Sequence, residues 1–220
     1  MIKLAIFDFD GTLVDTVTDI TSATNEFLVK YKQQPLPETK IRAAIGEGIK
    51  SLLKDVFPDA ISRPDLQLEF YQSFLEIYEQ HYLKSPKPFP GLSDFLDNWD
   101  GEVAILSNKT EKFIRPTLQH LKMDHYDWKV ILGGDSLKEK KPHPMTIDHI
   151  LSLTGHTKEN VVMIGDGLPD VQLASNTGIA SIAVSFGYTD LDKLKQHKVD
   201  RVIHHYNELQ EAINSLRLTP

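Results

Sequence analysis

Cysteine is absent from the 220 residues of this sequence. Its absence excludes disulfide bonds, thiolate metal sites and a cysteine nucleophile. No apolar run approaches the ~20 residues that a membrane-spanning helix requires, and the N-terminus shows no cleavable signal pattern. We therefore expect a cytoplasmic protein that does not act at a membrane.

Basic residues are also in short supply. The 24 lysines and arginines are outnumbered by 31 aspartates and glutamates, which gives a formal net charge of −7. Nucleic acids and anionic membranes repel such a protein, so we expect neither as a main partner. The 40% hydrophobic and 25% charged fractions are those of a globular protein, and the chain is long enough to bury a substantial core.

Short apolar runs rich in β-branched residues recur along the chain. They lie at 2–10, 102–108, 129–134, 160–166, 179–186 and, more weakly, 201–203. Segments with helical spacing separate them from residue 100 onward, at 110–121, 143–154, 169–176 and 206–216. This alternation predicts an α/β fold with a doubly wound, Rossmann-like parallel sheet. Ligands of such sheets bind beyond the carboxyl ends of the strands.

The strand signal disappears between residues 15 and 84. Apolar residues there follow helical spacing in several stretches, and two shorter helices are predicted within 39–57, interrupted at 46–48. The sequence KSPKPFPG at 84–91 then marks a linker back to the sheet. We predict a helical module of about four helices at 15–86, inserted into an α/β core formed by 1–14 and 87–220.

The first predicted strand ends in the sequence IFDFDGT. Asp8 and Asp10 are spaced i, i+2, so a strand that continued through them would project both carboxylates to one side. Two like charges in a poorly solvated position need a shared proton or a cation. The sequence therefore predicts a bound ion or an acid–base pair at this position.

Other chemically capable side chains also follow predicted strands, namely Ser107, Asn108, Lys141, Asp166 and Asp170. This combination suits phosphoryl transfer, because a carboxylate can attack phosphorus and a second can act as general acid and base. Mg²⁺ prefers oxygen ligands, a helix start can bind phosphate, and a lysine can neutralise phosphoryl oxygens. Taken alone, Ser107-Asn108 could be a helix cap and Asp170 a first-turn acid. Spacing does not distinguish Lys141 from Lys140.

Four sequences occur in order at these strand ends: DFDGTLVD at 8–15, LSN at 106–108, KKPHP at 140–144 and GDGLPD at 165–170. Together they resemble the four motifs of haloacid dehalogenase superfamily phosphatases with a helical cap, and of phosphoglycolate phosphatases in particular. The resemblance covers almost the whole chain, and it implies that 1–14 and 87–220 form a catalytic α/β core and that 15–86 form an α-helical cap domain. Gly167, where relatives often carry serine or threonine, and Pro169 depart from the pattern.

The resemblance implies a role for each matching residue. Asp8 corresponds to the nucleophile and Asp10 to the general acid and base. Mg²⁺ would be held by Asp8, the Asp10 carbonyl and Asp166, with Asp170 orienting the metal shell or the lysine. The residues expected to contact the phosphate are Gly11, Thr12, Ser107, Asn108 and Lys141.

The substrate implied by the resemblance is a small phosphorylated metabolite, foremost 2-phosphoglycolate. Arg42 and Lys50 flank the break at 46–48, and we predict that one of them contacts a substrate carboxylate. A phosphosugar or nucleoside monophosphate substrate, a phosphosugar mutase, and a receiver-like signalling domain remain as alternatives. Receivers place an adjacent acid pair on the first strand, unlike the D-x-D spacing here. We expect a monomer or a homodimer.

Overall fold

The computed structural model describes residues 1–58 and 64–216. Eight strands are described, in chain order β1 (Leu4–Phe7), β2 (Val14–Asp15), β3 (Lys87–Pro88), β4 (Glu102–Leu106), β5 (Trp128–Leu132), β6 (Val161–Gly165), β7 (Ala180–Val184) and β8 (Arg201–Ile203). Six of them form one parallel sheet with the order β5-β4-β1-β6-β7-β8. The predicted α/β fold with a doubly wound parallel sheet is confirmed.

Strand β1 lies at the centre of this sheet, between β4 and β6. Its side chains are buried on both faces, because Ala5 and Phe7 belong to one apolar cluster while Leu4 and Ile6 belong to another. From β1 the chain builds first toward β4 and β5 and later toward β6, β7 and β8, so the strand order reverses beside β1. Such a reversal opens a crevice at the carboxyl ends of the strands.

Helices cover both faces of the sheet and connect its parallel strands. Four helices, α1 to α4, precede them in the chain and are described below. The helices of the sheet are α5 (Leu92–Asn98), α6 (Glu111–His120), α7 (Met145–Thr154), α8 (Leu168–Thr177), α9 (Leu191–Leu194) and α10 (Leu209–Ser215). Four of these match the predicted helical segments within a few residues, whereas α5 and the short α9 were not predicted. Pro169 lies in the first turn of α8. Backbone N–H groups in the first turn make no hydrogen bond within the helix, so a proline there breaks none.

The earlier helices are α1 (Val17–Lys30), α2 (Glu38–Arg42), α3 (Ile49–Val56) and α4 (Gln67–Glu79), which we call the helical segment. Phe27 lies at the centre of its apolar cluster, with ring centroids 5.8 Å from Phe74, 6.0 Å from Phe57 and 6.3 Å from Phe70. The aromatic pattern of 66–83 therefore marks a packed helix face. None of the described helices is long and apolar enough to cross a membrane.

Strands β2 and β3 pair antiparallel where the chain leaves and re-enters the sheet region, with Val14 opposite Pro88 and Asp15 opposite Lys87. The predicted boundaries at 14/15 and 86/87 coincide with this two-stranded ribbon. The division into two domains stays a prediction, and its stretches 59–63 and 217–220 lie outside the described residues. Phe113 of α6 joins the apolar cluster of the helical segment, so the segment packs against the sheet's helices.

Candidate active site

The candidate site lies at the carboxyl edge of the sheet. Asp8 follows β1, Ser107 follows β4 and Asp166 follows β6, and all three side chains are buried. The structure thus brings together polar residues that are up to 158 positions apart because parallel strands end at the same edge.

The predicted strand through Asp10 is too long, since β1 ends at Phe7. The Asp8 amide still donates to the Ile164 carbonyl at 2.9 Å, but a turn with Gly11 at φ +82° follows. The prediction that Asp8 and Asp10 share one strand face is therefore wrong, because the turn gives their side chains different surroundings.

Lys141 bridges two of the buried acids. Its Nζ lies 2.6 Å from Asp170 Oδ1 and 3.0 Å from Asp8 Oδ1, and the side chain is fully buried. Burial alone would lower the pKa of Lys141, but the charges of Asp170 and Asp8 raise it above its usual value. Lys140 instead donates to the Glu47 carbonyl. The structure thus distinguishes the two lysines, which spacing alone could not.

Asp8, Asp166 and Asp170 form a cluster in which one oxygen of each lies within 4.8 Å of the others. Burial raises the pKa of Asp166, and the charge of Asp8 raises it further, to about 7. Burial also raises the pKa of Asp170 to about 8 despite its contact with Lys141. Removing these acids from water without a cation is unfavourable, and a hard cation with oxygen ligands would relieve their repulsion. The donor set therefore fits Mg²⁺.

Neighbouring groups fix the orientation of two acids in this cluster. Asp166 accepts hydrogen bonds from Thr12 Oγ1 at 2.8 Å and from the Tyr188 amide at 2.7 Å. Asp170 accepts one from the Gly167 amide at 2.9 Å. Gly11 lies so close that a Cβ there would be 2.4 Å from Asp166 Oδ2. Gly11 and Thr12 thus support the Asp166 carboxylate, and their predicted phosphate contacts stay predictions.

Asp10 has a different set of partners. Its Oδ1 accepts hydrogen bonds from Thr16 Oγ1 at 2.6 Å and from Lys109 Nζ at 2.9 Å. Lys109 Nζ also donates to Tyr78 OH at 2.7 Å, and both Lys109 and Tyr78 are buried. Burial alone would lower the pKa of Lys109, but the charge of Asp10 raises it well above its usual value.

Our sequence analysis missed Lys109 and Tyr78 as site residues. The available signal for Lys109 was its position directly after Ser107-Asn108 at a strand end. Tyr78 lies on α4, where the helical spacing of apolar residues predicts a helix and gives no signal for a site residue.

A cavity of about 50 Å³ lies between this edge and the helical segment. Its polar lining comprises Asp8, Asp10, Ser107, Lys109 and Tyr78. The rest of the lining is apolar or glycine, contributed by Ile20, Ala44, Ile45, Gly46, Gly48, Ile49, Leu52 and Phe74. The predicted nucleophile and general acid therefore both face one pocket whose walls are largely apolar.

Three other predicted contact residues lie outside this lining. Asn108 donates through Nδ2 to the carbonyls of Gly46 at 3.1 Å and Lys141 at 3.2 Å. The Arg42 guanidinium lies over the Tyr188 ring, 5.3 Å from its centroid. Lys50 Nζ lies 5.6 Å from the centroid of the Tyr71 ring. Their predicted roles in binding phosphate or substrate stay predictions.

Comparisons with known proteins agree with this geometry. The family model described as haloacid dehalogenase-like hydrolase matches residues 5–184. A phosphoglycolate phosphatase of Neisseria gonorrhoeae is 32% identical over 222 residues, which cover 96% of this chain and 93% of that protein. One from Chromobacterium violaceum is 32% identical over 200 residues, covering 88% of this chain and 89% of that protein.

Solved structures share the fold. A predicted phosphoglycolate phosphatase from Haemophilus somnus superposes with a TM-score of 0.86 at 24% identity, covering 96% of this chain and 98% of that chain. A haloacid dehalogenase-like family hydrolase from Streptococcus pneumoniae superposes with a TM-score of 0.85 at 24% identity, with the same coverage of 96% and 98%.

The family match spans most of the chain, and the four sequence motifs meet at one edge of the sheet in the structure. The expectation of a haloacid dehalogenase-like enzyme is thereby confirmed. The chain belongs to the haloacid dehalogenase-like hydrolase family.

Proposed function

We propose that the protein is a Mg²⁺-dependent phosphatase that hydrolyses a small phosphomonoester through an aspartyl-phosphate on Asp8. The observation that carries this proposal is the position of Asp8. Its buried carboxylate faces the cavity beside Ser107 and is held by Lys141 Nζ at 3.0 Å and the Phe9 amide at 2.6 Å. An oriented carboxylate next to a cation is suited to attack a phosphoryl group.

The reaction divides into two displacements. In the first, an Asp8 oxygen attacks phosphorus while Asp10 donates a proton to the departing alkoxide oxygen. In the second, water attacks the aspartyl-phosphate, Asp10 accepts the proton of that water, and phosphate leaves with Asp8 regenerated. Asp10 lines the same cavity as Asp8, so one carboxylate can serve both proton transfers.

The chain's own oxygens would hold the metal ion. We assign the carboxylates of Asp8 and Asp166 and the backbone carbonyl of Asp10 as ligands, in keeping with the oxygen preference of Mg²⁺. When bound, Mg²⁺ supplies positive charge that offsets the acids and polarises the phosphoryl group. Asp170 is engaged by Lys141 and by the Gly167 amide, which supports a role in orienting the lysine.

The proposed substrate is 2-phosphoglycolate, a small phosphorylated metabolite. Curated relatives at about 30% identity carry the name phosphoglycolate phosphatase. The apolar lining of the cavity favours a compact substrate, because a sugar or nucleoside presents several hydroxyl groups that would be buried without hydrogen-bond partners.

A panel of phosphomonoesters tests the proposal. Purified protein with Mg²⁺ should release phosphate from 2-phosphoglycolate with higher kcat/KM than from glucose 6-phosphate or adenosine monophosphate. Activity should vanish after exhaustive chelation and return with Mg²⁺. Full activity in the chelated protein would overturn the metal assignment. A preference for sugars or nucleotides would overturn the substrate alone.

A further inference from the structure

The general acid and the substrate's carboxylate must be close neighbours if the proposed substrate is correct. In 2-phosphoglycolate the carboxylate carbon is two bonds from the ester oxygen that must be protonated. A cation that binds this carboxylate therefore has to lie beside Asp10. Arg42 and Lys50, which stack on tyrosine rings outside the cavity lining, do not meet this condition.

Lys109 does meet this condition. Its Nζ lies 2.9 Å from Asp10 Oδ1, and Lys109 is the one cation among the described residues that line the cavity. Two of its three N–H donors go to the same Asp10 carboxylate, at 2.9 Å and 3.1 Å. A substrate carboxylate can replace the longer of these two bonds while Lys109 Nζ keeps the shorter one to Asp10 Oδ1.

Tyr78 adds a second donor at the same point. Its hydroxyl oxygen accepts a hydrogen bond from Lys109 Nζ at 2.7 Å, and the side chain is buried at the cavity wall. In the described part of the chain the hydroxyl hydrogen has no acceptor. Buried donors without a partner are unfavourable, so this hydrogen points to a ligand acceptor.

We infer that Lys109 and Tyr78 together bind the carboxylate of a short α-phosphoxy acid, with the ammonium and the hydroxyl each donating to it. Apart from Asp8, Asp10 and Ser107, which face the phosphoryl group in the proposed reaction, the rest of the lining is apolar or glycine, which suits the methylene group of such a substrate. The inference rests on the proposed function, and it makes Lys109 and Tyr78 the residues that select the substrate's negative charge.

The test compares 2-phosphoglycolate with 2-hydroxyethyl phosphate, which replaces the carboxylate by a neutral hydroxymethyl group. The readout is the ratio of the two kcat/KM values, since this ratio cancels any effect on Asp10 that both substrates feel. Lys109→Met should lower the ratio by about 10- to 100-fold, as expected for a lost hydrogen-bonded charge pair. Tyr78→Phe, which keeps the ring, should lower it by about 10-fold.

Lys112→Met is the matched control. Lys112 lies on α6, three residues after Lys109, pairs with Glu79 of α4 at 3.5 Å and does not line the cavity. Its substitution should leave the ratio unchanged, and thermal unfolding of each variant checks that it is folded.

Three outcomes would count against the inference. A wild-type protein that hydrolyses both esters without preferring 2-phosphoglycolate would overturn it while leaving the phosphatase proposal intact. Variants that lose activity equally on both esters would show that Lys109 and Tyr78 only position Asp10. A wild-type protein that hydrolyses neither ester, nor any member of the panel, would overturn the proposed function and this inference with it. If Lys109→Met does not fold, the ratio of the two kcat/KM values measured for Tyr78→Phe tests the inference by itself.

Discussion

At the scale of single residues, Asp8 and Asp10 have different partners, and their substitutions should differ accordingly. Asp8→Asn should abolish turnover of every substrate, because an amide is a poor nucleophile. Asp10→Asn should slow the hydrolysis of an alkyl phosphate by roughly 10²- to 10⁴-fold. Its effect on phosphorylation of Asp8 by p-nitrophenyl phosphate should be smaller, because that leaving group needs little proton assistance. Steady-state and burst kinetics on the two esters measure this difference. Near-wild-type rates in Asp8→Asn would contradict the nucleophile assignment.

Lys141 and its neighbour Lys140 offer a second comparison between single residues. Lys141→Ala removes the cation between Asp8 and Asp170, so it should abolish activity and destabilise the protein by about 3–5 kcal/mol. Lys140→Ala loses one hydrogen bond to the Glu47 carbonyl and should cost far less in both respects. Urea unfolding and kcat/KM measured on both proteins decide the matter. Equal losses would mean that the bridge between the acids is not the source of the effect.

Sequence alone predicted that residues in local motifs would come together. Asp8, Asp166 and Lys141 each stand in a short motif next to a strand, and parallel strands end together, so their convergence could be predicted. Tyr78 could not be predicted to join them, because its contact with Lys109 depends on how α4 packs over the sheet. The contact of the Arg42 guanidinium with the Tyr188 ring could likewise not be predicted from position, and the role of Arg42 in substrate binding stays a prediction.

At the scale of elements, buried strands were predictable because their two apolar faces leave a continuous signal. The end of β1 was not predictable. The Asp8 amide still forms one hydrogen bond with the neighbouring strand β6, and the turn at Gly11 then redirects the chain. Helix α5 was missed because its seven residues span barely two turns, too few for a clear period.

The glycine break before α3 allows a prediction about an element. Gly48 has φ +82°, and a Cβ there would lie 2.8 Å from the Asn108 carbonyl oxygen. Gly48→Ala should therefore push this end of α3 away from the strand edge and raise KM. Gly155→Ala is the control, because Gly155 also has a positive φ, +71°, but open space around its Cβ position.

Gly155→Ala should lose about 1 kcal/mol of stability from backbone strain, and Gly48→Ala should lose more because its Cβ also meets the Asn108 carbonyl. Only Gly48→Ala should change KM. Thermal unfolding and steady-state kinetics of the two proteins separate these effects. Unchanged KM in Gly48→Ala would show that the contact with Asn108 has no part in forming the cavity.

At the scale of the whole molecule, the buried acid cluster links metal binding to folding. Asp8, Asp166 and Asp170 are assembled only in the folded state, so Mg²⁺ should bind the native protein and raise its unfolding temperature. At 100-fold excess over Kd the gain is about 2.7 kcal/mol, or about 5–10 °C for a chain of this length. Asp166→Asn should lose this gain, whereas Asp55→Asn, which changes an exposed acid on α3, should keep it. Calorimetry with Mg²⁺ and with chelator measures the difference in each protein, and an equal gain in Asp166→Asn would mean that the ion stabilises the chain from another position.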